Sequence, residues 1–190
     1  ILQNVKELAE LGFVQEVGQY ESTGGRKAKA YAPVKDARLA VGLDLTRNHV
    51  SIVLVDLSGK VVRYQRRSKP FSLEDAYLQE LGRLVESLID GECTGEKILG
   101  VGISLPSIVD SEAGILRYSH ILDLRDVPLS LLSRHIPFPC RFINDANAAG
   151  FAEIYGTSAA GDLIYLSLSN SVGGAILTDG SLYMGGHLRA

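Results

Sequence analysis

Leu39-Ala40-Val41-Gly42-Leu43-Asp44-Leu45-Thr46-Arg47-Asn48-His49-Val50-Ser51-Ile52-Val53-Leu54-Val55-Asp56-Leu57 opens a run of strands. Strands are expected over 39–45, 50–57 and 61–67, with Asp56-Leu57-Ser58-Gly59-Lys60 as the turn between the last two. Residues 72–90 follow with Leu73, Tyr77, Leu81, Leu84 and Leu88 at helical spacing, and Ser72 with Asp75 three residues on reads as the N-terminal cap. Residues 98–105 then form a buried strand. A meander followed by a strand-helix-strand crossover predicts a mixed α/β sheet with a parallel part.

Working outward, the 190 residues are 46% apolar and 22% charged, enough for one large domain or a small one beside a medium one. No run approaches the ~20 apolar residues that a bilayer span needs, and no leader opens the chain, so a cytoplasmic location without membrane partners is expected. Cys93 and Cys140 are far apart and lack CxxC or Cys/His spacing, which predicts free thiols and no metal site within this stretch.

Upstream of the first strand, residues 1–11 place Ile1, Leu2, Val5, Leu8 and Leu11 on one helical face, and Gly12 stops the helix. Residues 13–17 and 30–34 read as two short strands around Ser22-Thr23-Gly24-Gly25-Arg26-Lys27-Ala28. The adjacent glycines allow a tight tip, and Arg26, Lys27 and Lys29 would attract a phosphate backbone or a narrow minor groove. The loop reads as the wing of a DNA-binding winged helix, and equally as an ordinary solvated hairpin. Residues 1–37 are neutral, with five cations against five carboxylates, so the net charge of −3 resides in the rest. Pro33 to Arg38 breaks the periodicity, giving an expected division into 1–37 and 38–190.

Four segments occur in order after that break: Val41-Gly42-Leu43-Asp44-Leu45-Thr46, Gly100-Val101-Gly102-Ile103-Ser104-Leu105-Pro106, Ile143-Asn144-Asp145-Ala146-Asn147-Ala148-Ala149, and Leu166-Ser167-Leu168-Ser169-Asn170-Ser171-Val172-Gly173-Gly174-Ala175-Ile176. Together they resemble the ROK family, bacterial repressors and sugar kinases with one actin-like fold, and the wing resembles the repressor branch of the N-acetylglucosamine or xylose regulator type. The resemblance implies an α/β, actin-like (ribonuclease H-like) sugar-kinase lobe preceded by the C-terminal part of a winged helix-turn-helix. On that footing 1–37 is a partial DNA-binding domain and 38–190 the N-terminal portion of the sugar-binding domain.

Family kinases carry an Asp-x-Gly-x-Thr turn after the first strand and a Gly-Thr-Gly run before the later glycine pair. Here Thr46 and Arg47 follow Asp44 where glycines are expected, and Ser169-Asn170-Ser171 precedes Gly173-Gly174. Both phosphate loops, Asp44 with Thr46 and Gly173 with Gly174, therefore read as degenerate, because side chains replace the close backbone approach that phosphates need. The glycine pair also suits the hairpin closed by Thr178-Asp179-Gly180-Ser181. ATP and magnesium are not expected as cofactors.

The resemblance makes Asn144 and Asp145 sugar ligands, with Asp145 the catalytic base if the chain is a kinase; from the residues alone, the pair reads as a helix cap with an acidic first turn. Pro106 and Ser107 stand at the sugar-facing loop, where the family pattern is Pro-Gly. Asp110, Gly114 and Ile115-Leu116 suit a short hairpin, and His187 reads as a loop residue. Judged against the family, the chain is expected to be a fragment, with further sugar ligands and a structural zinc site in the remainder. The expected function is a sugar-responsive regulator, with operator DNA, a sugar or sugar phosphate effector, and dimer or tetramer assembly; the alternative is an ATP-dependent sugar kinase.

Overall fold

The computed structural model describes residues 2–20, 28–91, 94–156, 161–168 and 172–188. The chain opens on α1 (Leu2–Glu10). Gly12 stops it at φ +76°, with the Gly12 amide donating to the Ala9 carbonyl at 3.0 Å and the Phe13 amide to that of Leu8 at 2.8 Å. That pair of bonds satisfies carbonyls the helix end would otherwise leave open, and it requires a left-handed residue that glycine supplies without steric cost. β1 (Val14–Gln19) and β2 (Lys29–Pro33) pair antiparallel, and Lys29 Nζ meets Glu16 Oε2 across them at 2.7 Å. Ser22, Thr23, Gly24, Gly25, Arg26 and Lys27 lie outside the described residues, as do Ile1 and Cys93.

β3 (Leu39–Leu45), β4 (His49–Asp56) and β5 (Val61–Ser68) form the antiparallel meander. Alternation sends Leu39, Val41, Leu43 and Leu45 of β3, with Val50, Ile52 and Leu54 of β4, onto one face. There α2 (Asp75–Ile89) lays Tyr77, Leu81, Leu84 and Leu88 against them, and the partly buried Leu73 joins the same core. Ser72 does not cap this helix. Its Oγ accepts from the Glu74 amide at 3.0 Å, a local turn that competes with helix geometry, so α2 begins at Asp75 behind Glu74, whose side chain makes no cap bond. Asp75 is held by Gln79 Nε2 at 2.6 Å, by Arg134, and by His135 Nε2 at 2.6 Å.

A single 3₁₀ turn, Gly95–Lys97, leads into β6 (Ile98–Leu105), which returns parallel to β3. A small sheet follows from β7 (Ile108–Asp110), β8 (Ile115–Ser119) and β9 (Leu124–Pro128), ending in the short α3 (Leu129–Ser133). Its first turn uses Gly114 at φ +69°, while Asp110 Oδ1 accepts from the Ala113 amide at 2.9 Å. β10 (Cys140–Asn144) then joins the main sheet parallel to β6, giving the order β10-β6-β3-β4-β5.

The last part comprises α4 (Asp145–Gly156), β11 (Leu163–Leu168), β12 (Val172–Thr178) and β13 (Ser181–Leu182). Asp179 at φ +50° and Gly180 at φ +73° make the two-residue turn that pairs Thr178 with Ser181, as an Asp-Gly step favours. α4 lies on the β11–β12 hairpin, and closely: a Cβ added to Gly150 would sit 2.8 Å from that of Ala175, and one added to Gly173 would sit 3.2 Å from that of Ala146. Among the described residues, no helix is long and apolar enough to cross a membrane.

Candidate functional site

Two parallel pairings bring three strand ends to one edge of the sheet. Register places Asp44 beside Ser104 and Asn144 beside Leu105, so the carboxyl ends of β3, β6 and β10 open together into a cleft of about 850 Å³. Open α/β sheets present their ligand crevices in this position. Asp44, Thr46 and Ser104 line it from β3 and β6, Asn144, Asp145 and Asn147 from the start of α4, and Ser167, Gly173 and Gly174 from the hairpin beyond. Pro106, Ser107, Tyr118, Ser119 and His120 complete the side next to the small sheet.

Within the cleft, Ser104 Oγ donates to Asp44 Oδ1 at 2.8 Å. Asp145 Oδ1 accepts from the Ala146 amide at 2.9 Å. Burial pushes the Asp145 carboxyl above its ordinary range against the pull of that amide, and Asp44 pushes it further up. Among the described residues no lysine or arginine lines the cleft, so its floor is carboxylate-rich and accepts hydrogen bonds from hydroxyl groups.

Asn144 is more heavily committed than the sequence suggested. Its Nδ2 donates to the Ser107 carbonyl at 3.1 Å, and its Oδ1 accepts from the Asn147 amide at 3.1 Å. The second bond is that of a helix N-cap, so the capping role read from the residues alone is present in the structure. Asn144 thus ties the start of α4 to the Pro106-Ser107 loop and keeps one amide hydrogen for other partners.

The two segments expected to be degenerate phosphate loops differ in character. Thr46 lines the cleft, but its hydroxyl is engaged in its own turn, donating to the His49 carbonyl and accepting from the His49 amide, both at 3.0 Å. Arg47, expected to stand in the phosphate path, is exposed and is not among the residues lining the cleft. Gly173 and Gly174 belong to β12 itself, paired with Ser167 and Leu166, and neither has a positive φ; what they supply is room for α4 and for the Tyr165 carbonyl. Ser169, Asn170 and Ser171 lie outside the described residues.

Three contributors escaped the sequence reading. Ser104 stood inside a quoted motif as a polar residue in an apolar strand. Ser119 is buried, donates to the Pro106 carbonyl at 2.5 Å and accepts from the Leu122 amide at 3.0 Å. Asn147 is buried beside Met184. Nothing in local spacing marks Ser119, because its place at the cleft depends on how the β7–β8 hairpin folds it back beside Pro106. His187 lies in a turn near Arg117 and Arg125, in a neighbouring depression. The Cys140 thiol donates to the Phe138 carbonyl at 3.4 Å, and burial pushes its pKa up.

Residues 40–189 match the model of the ROK family. The chain belongs to the ROK family. Among its ROK relatives is the xylose repressor of Caldicellulosiruptor bescii, 31% identical over 187 residues, covering 94% of this chain and 46% of the relative. The fold is that of solved ROK proteins. A ROK transcriptional regulator described as a homologue of the E. coli MLC protein superposes with a TM-score of 0.75 at 20% identity, over 99% of this chain and 49% of that one. A ROK glucokinase from Streptomyces griseus, in complex with glucose and AMPPNP, gives 0.68 at 22% identity, over 80% of this chain and 48% of that one. The chain spans about half the length of these ROK relatives.

Proposed function

We propose that this ROK chain is the DNA-proximal and sugar-sensing half of a transcriptional regulator of carbohydrate metabolism, a repressor in the simplest case. Residues 1–37 act as a partial winged helix whose wing, Ser22 to Lys27, contacts operator DNA, and 38–190 form the N-terminal part of the sugar-binding domain. The observation carrying this reading is the joining, in one chain, of a helix-and-hairpin unit to a cleft rich in hydrogen-bond acceptors. Coverage supports it: the regulator fold extends over nearly the whole chain, whereas the glucokinase fold leaves about a fifth unmatched.

Asp145 accepts from sugar hydroxyls, and Asn144 holds the Pro106-Ser107 loop in place and offers its remaining N–H. A sugar that prefers one arrangement of the lobes shifts the population toward it, and in a dimer or tetramer that changes the spacing of two wings on DNA. The kinase alternative draws on Asp145 alone, whose raised proton affinity suits a general base. Against it stands Thr46, closed on its own turn where a phosphate would need open backbone.

Fluorescence anisotropy of the complete gene product on its own upstream DNA tests the proposal, at two salt concentrations and with a panel of pentoses, hexoses and N-acetylated amino sugars and their phosphates. A steep salt dependence together with a shift caused by one sugar is the expected result. Absence of DNA binding at low salt, together with ATP turnover on the same sugars, would establish the kinase instead.

A further inference from the structure

Every backbone polar group that forms the Pro106-Ser107 loop into the cleft has a partner. The Pro106 carbonyl accepts from Ser119 Oγ at 2.5 Å, the Ser107 amide donates to the Leu105 carbonyl at 2.8 Å, and the Ser107 carbonyl accepts from Asn144 Nδ2 at 3.1 Å. Three separate elements therefore fix this loop: β6 through Leu105, β8 through Ser119, and the start of α4 through Asn144. The Ser107 hydroxyl is different. Ser107 is only 5% exposed and lines the cleft, yet its Oγ has no hydrogen-bond partner among the described residues.

A buried hydroxyl without a partner is costly, and a fold that could relieve it by placing alanine there gains nothing structural from the oxygen. The backbone is pinned on both sides, so the only freedom left to the oxygen is rotation about its own Cα–Cβ bond. As placed it is closed off from solvent, and that rotation is the step by which it would reach a ligand in the cleft. We infer that Ser107 is the specificity-determining residue of the cleft: its hydroxyl reads one particular hydroxyl of the bound sugar, while Asn144 serves mainly to position it. The inference rests on the cleft being a sugar site, as proposed above.

The chemistry separates the two roles. Asp145 accepts only, so it fits any sugar with a hydroxyl in reach. Ser107 both donates and accepts from a fixed backbone, and a sugar lacking the matching hydroxyl leaves it unpaired in the complex as well. A site built to hydrogen-bond a hydroxyl discriminates against the analogue lacking it more strongly than an apolar pocket discriminates by size. The departure from glycine at this position thus changes which sugar fits, with no change to the carboxylate that accepts from it.

The test is isothermal titration of the complete gene product with D-xylose, D-glucose and N-acetyl-D-glucosamine, and with the monodeoxy analogues of whichever binds, for wild type, Ser107→Ala and Asp145→Asn. Thermal unfolding without sugar is measured alongside. Ser107→Ala is expected to unfold at the wild-type temperature or higher, to bind the sugar about tenfold more weakly, and to lose the wild-type discrimination against one deoxy analogue only. Two results would overturn the inference: unchanged affinity and discrimination in Ser107→Ala, or a lowered unfolding temperature with every sugar weakened alike, which marks the hydroxyl as structural. If wild type binds none of the sugars and Asp145→Asn changes nothing, the sugar reading itself fails, and this inference with it.

Discussion

Asp145 carries opposing demands. It is an exposed residue at the cleft, yet the partial loss of water around its carboxyl there and the charge of Asp44 both favour its protonated form. The folded-state pKa therefore lies above the ordinary 3.8, so the fold binds the proton more tightly than the unfolded chain does. The resulting penalty is absent below the ordinary pKa, grows as pH rises toward the raised one, and is complete above it. Asp145→Asn is accordingly expected to be more stable than wild type at pH 7 in the absence of sugar, with the advantage vanishing as pH falls below about 4; chemical denaturation at both pH values measures it. The same substitution is expected to weaken sugar binding by about 1 to 3 kcal/mol, because charge-assisted hydrogen bonds are removed. Greater stability with poorer binding identifies a residue retained for its ligand. A helix-capping role alone would lower stability and leave affinity intact.

At the scale of elements, α4 is placed by what its neighbours lack. An added methyl on Gly150 would lie 2.8 Å from Ala175 Cβ and 3.1 Å from Tyr165 Cβ, both fixed to strand backbone. Alanine gains about 1 kcal/mol in helix propensity, but overpacking a tight site costs about 1 to 3 kcal/mol. Gly150→Ala is expected to lower stability by up to about 2 kcal/mol net, read from urea unfolding; a stabilised variant would show that the helix has room to move off the hairpin. The outer face of that hairpin is apolar and open, with Ile164 at 80% and Val172 at 75% exposure beside Leu166, Leu168 and Ile176. Contiguous apolar area of this kind binds hydrophobic surfaces. The 190-residue chain by itself is expected to bind a hydrophobic dye, and Ile164→Thr with Val172→Thr to reduce that signal. The element boundaries themselves were largely readable, because alternation in β3 and β4 and the helical spacing of α2 each report a single buried face. The start of α2 was not: Ser72 has the chemistry of a cap, and only the position of the Glu74 amide shows that it closes a turn instead.

For the whole molecule, the proposed DNA binding depends on Arg26 and Lys27. Lys29 is already paired with Glu16 at 2.7 Å. Arg26→Ala with Lys27→Ala is expected to weaken operator binding and to flatten its logarithmic salt dependence by about one to two units, since every phosphate that the protein no longer neutralises keeps about one counterion on the DNA. Sugar affinity should be unaffected. A wild-type salt slope in the double variant would remove the wing from the proposal.

The sequence by itself determined the order of strands and helices, the ROK resemblance, and the placing of Asn144 and Asp145 at a strand-to-helix junction. Hydrophobic periodicity and turn chemistry are local properties, written within a few residues of where they act. Tertiary structure decided how those residues are used. It set Asp44 near enough to Asp145 to raise its proton affinity, engaged both ends of the Asn144 amide, brought Ser119 from a separate sheet onto the Pro106 carbonyl, and left the Ser107 hydroxyl unpaired at the cleft. The Asp44–Asp145 pairing joins groups 101 residues apart in sequence, a matter of sheet register and chain crossing that no local pattern encodes, whereas Ser119 reaches Pro106 across the β7–β8 hairpin, 13 residues away.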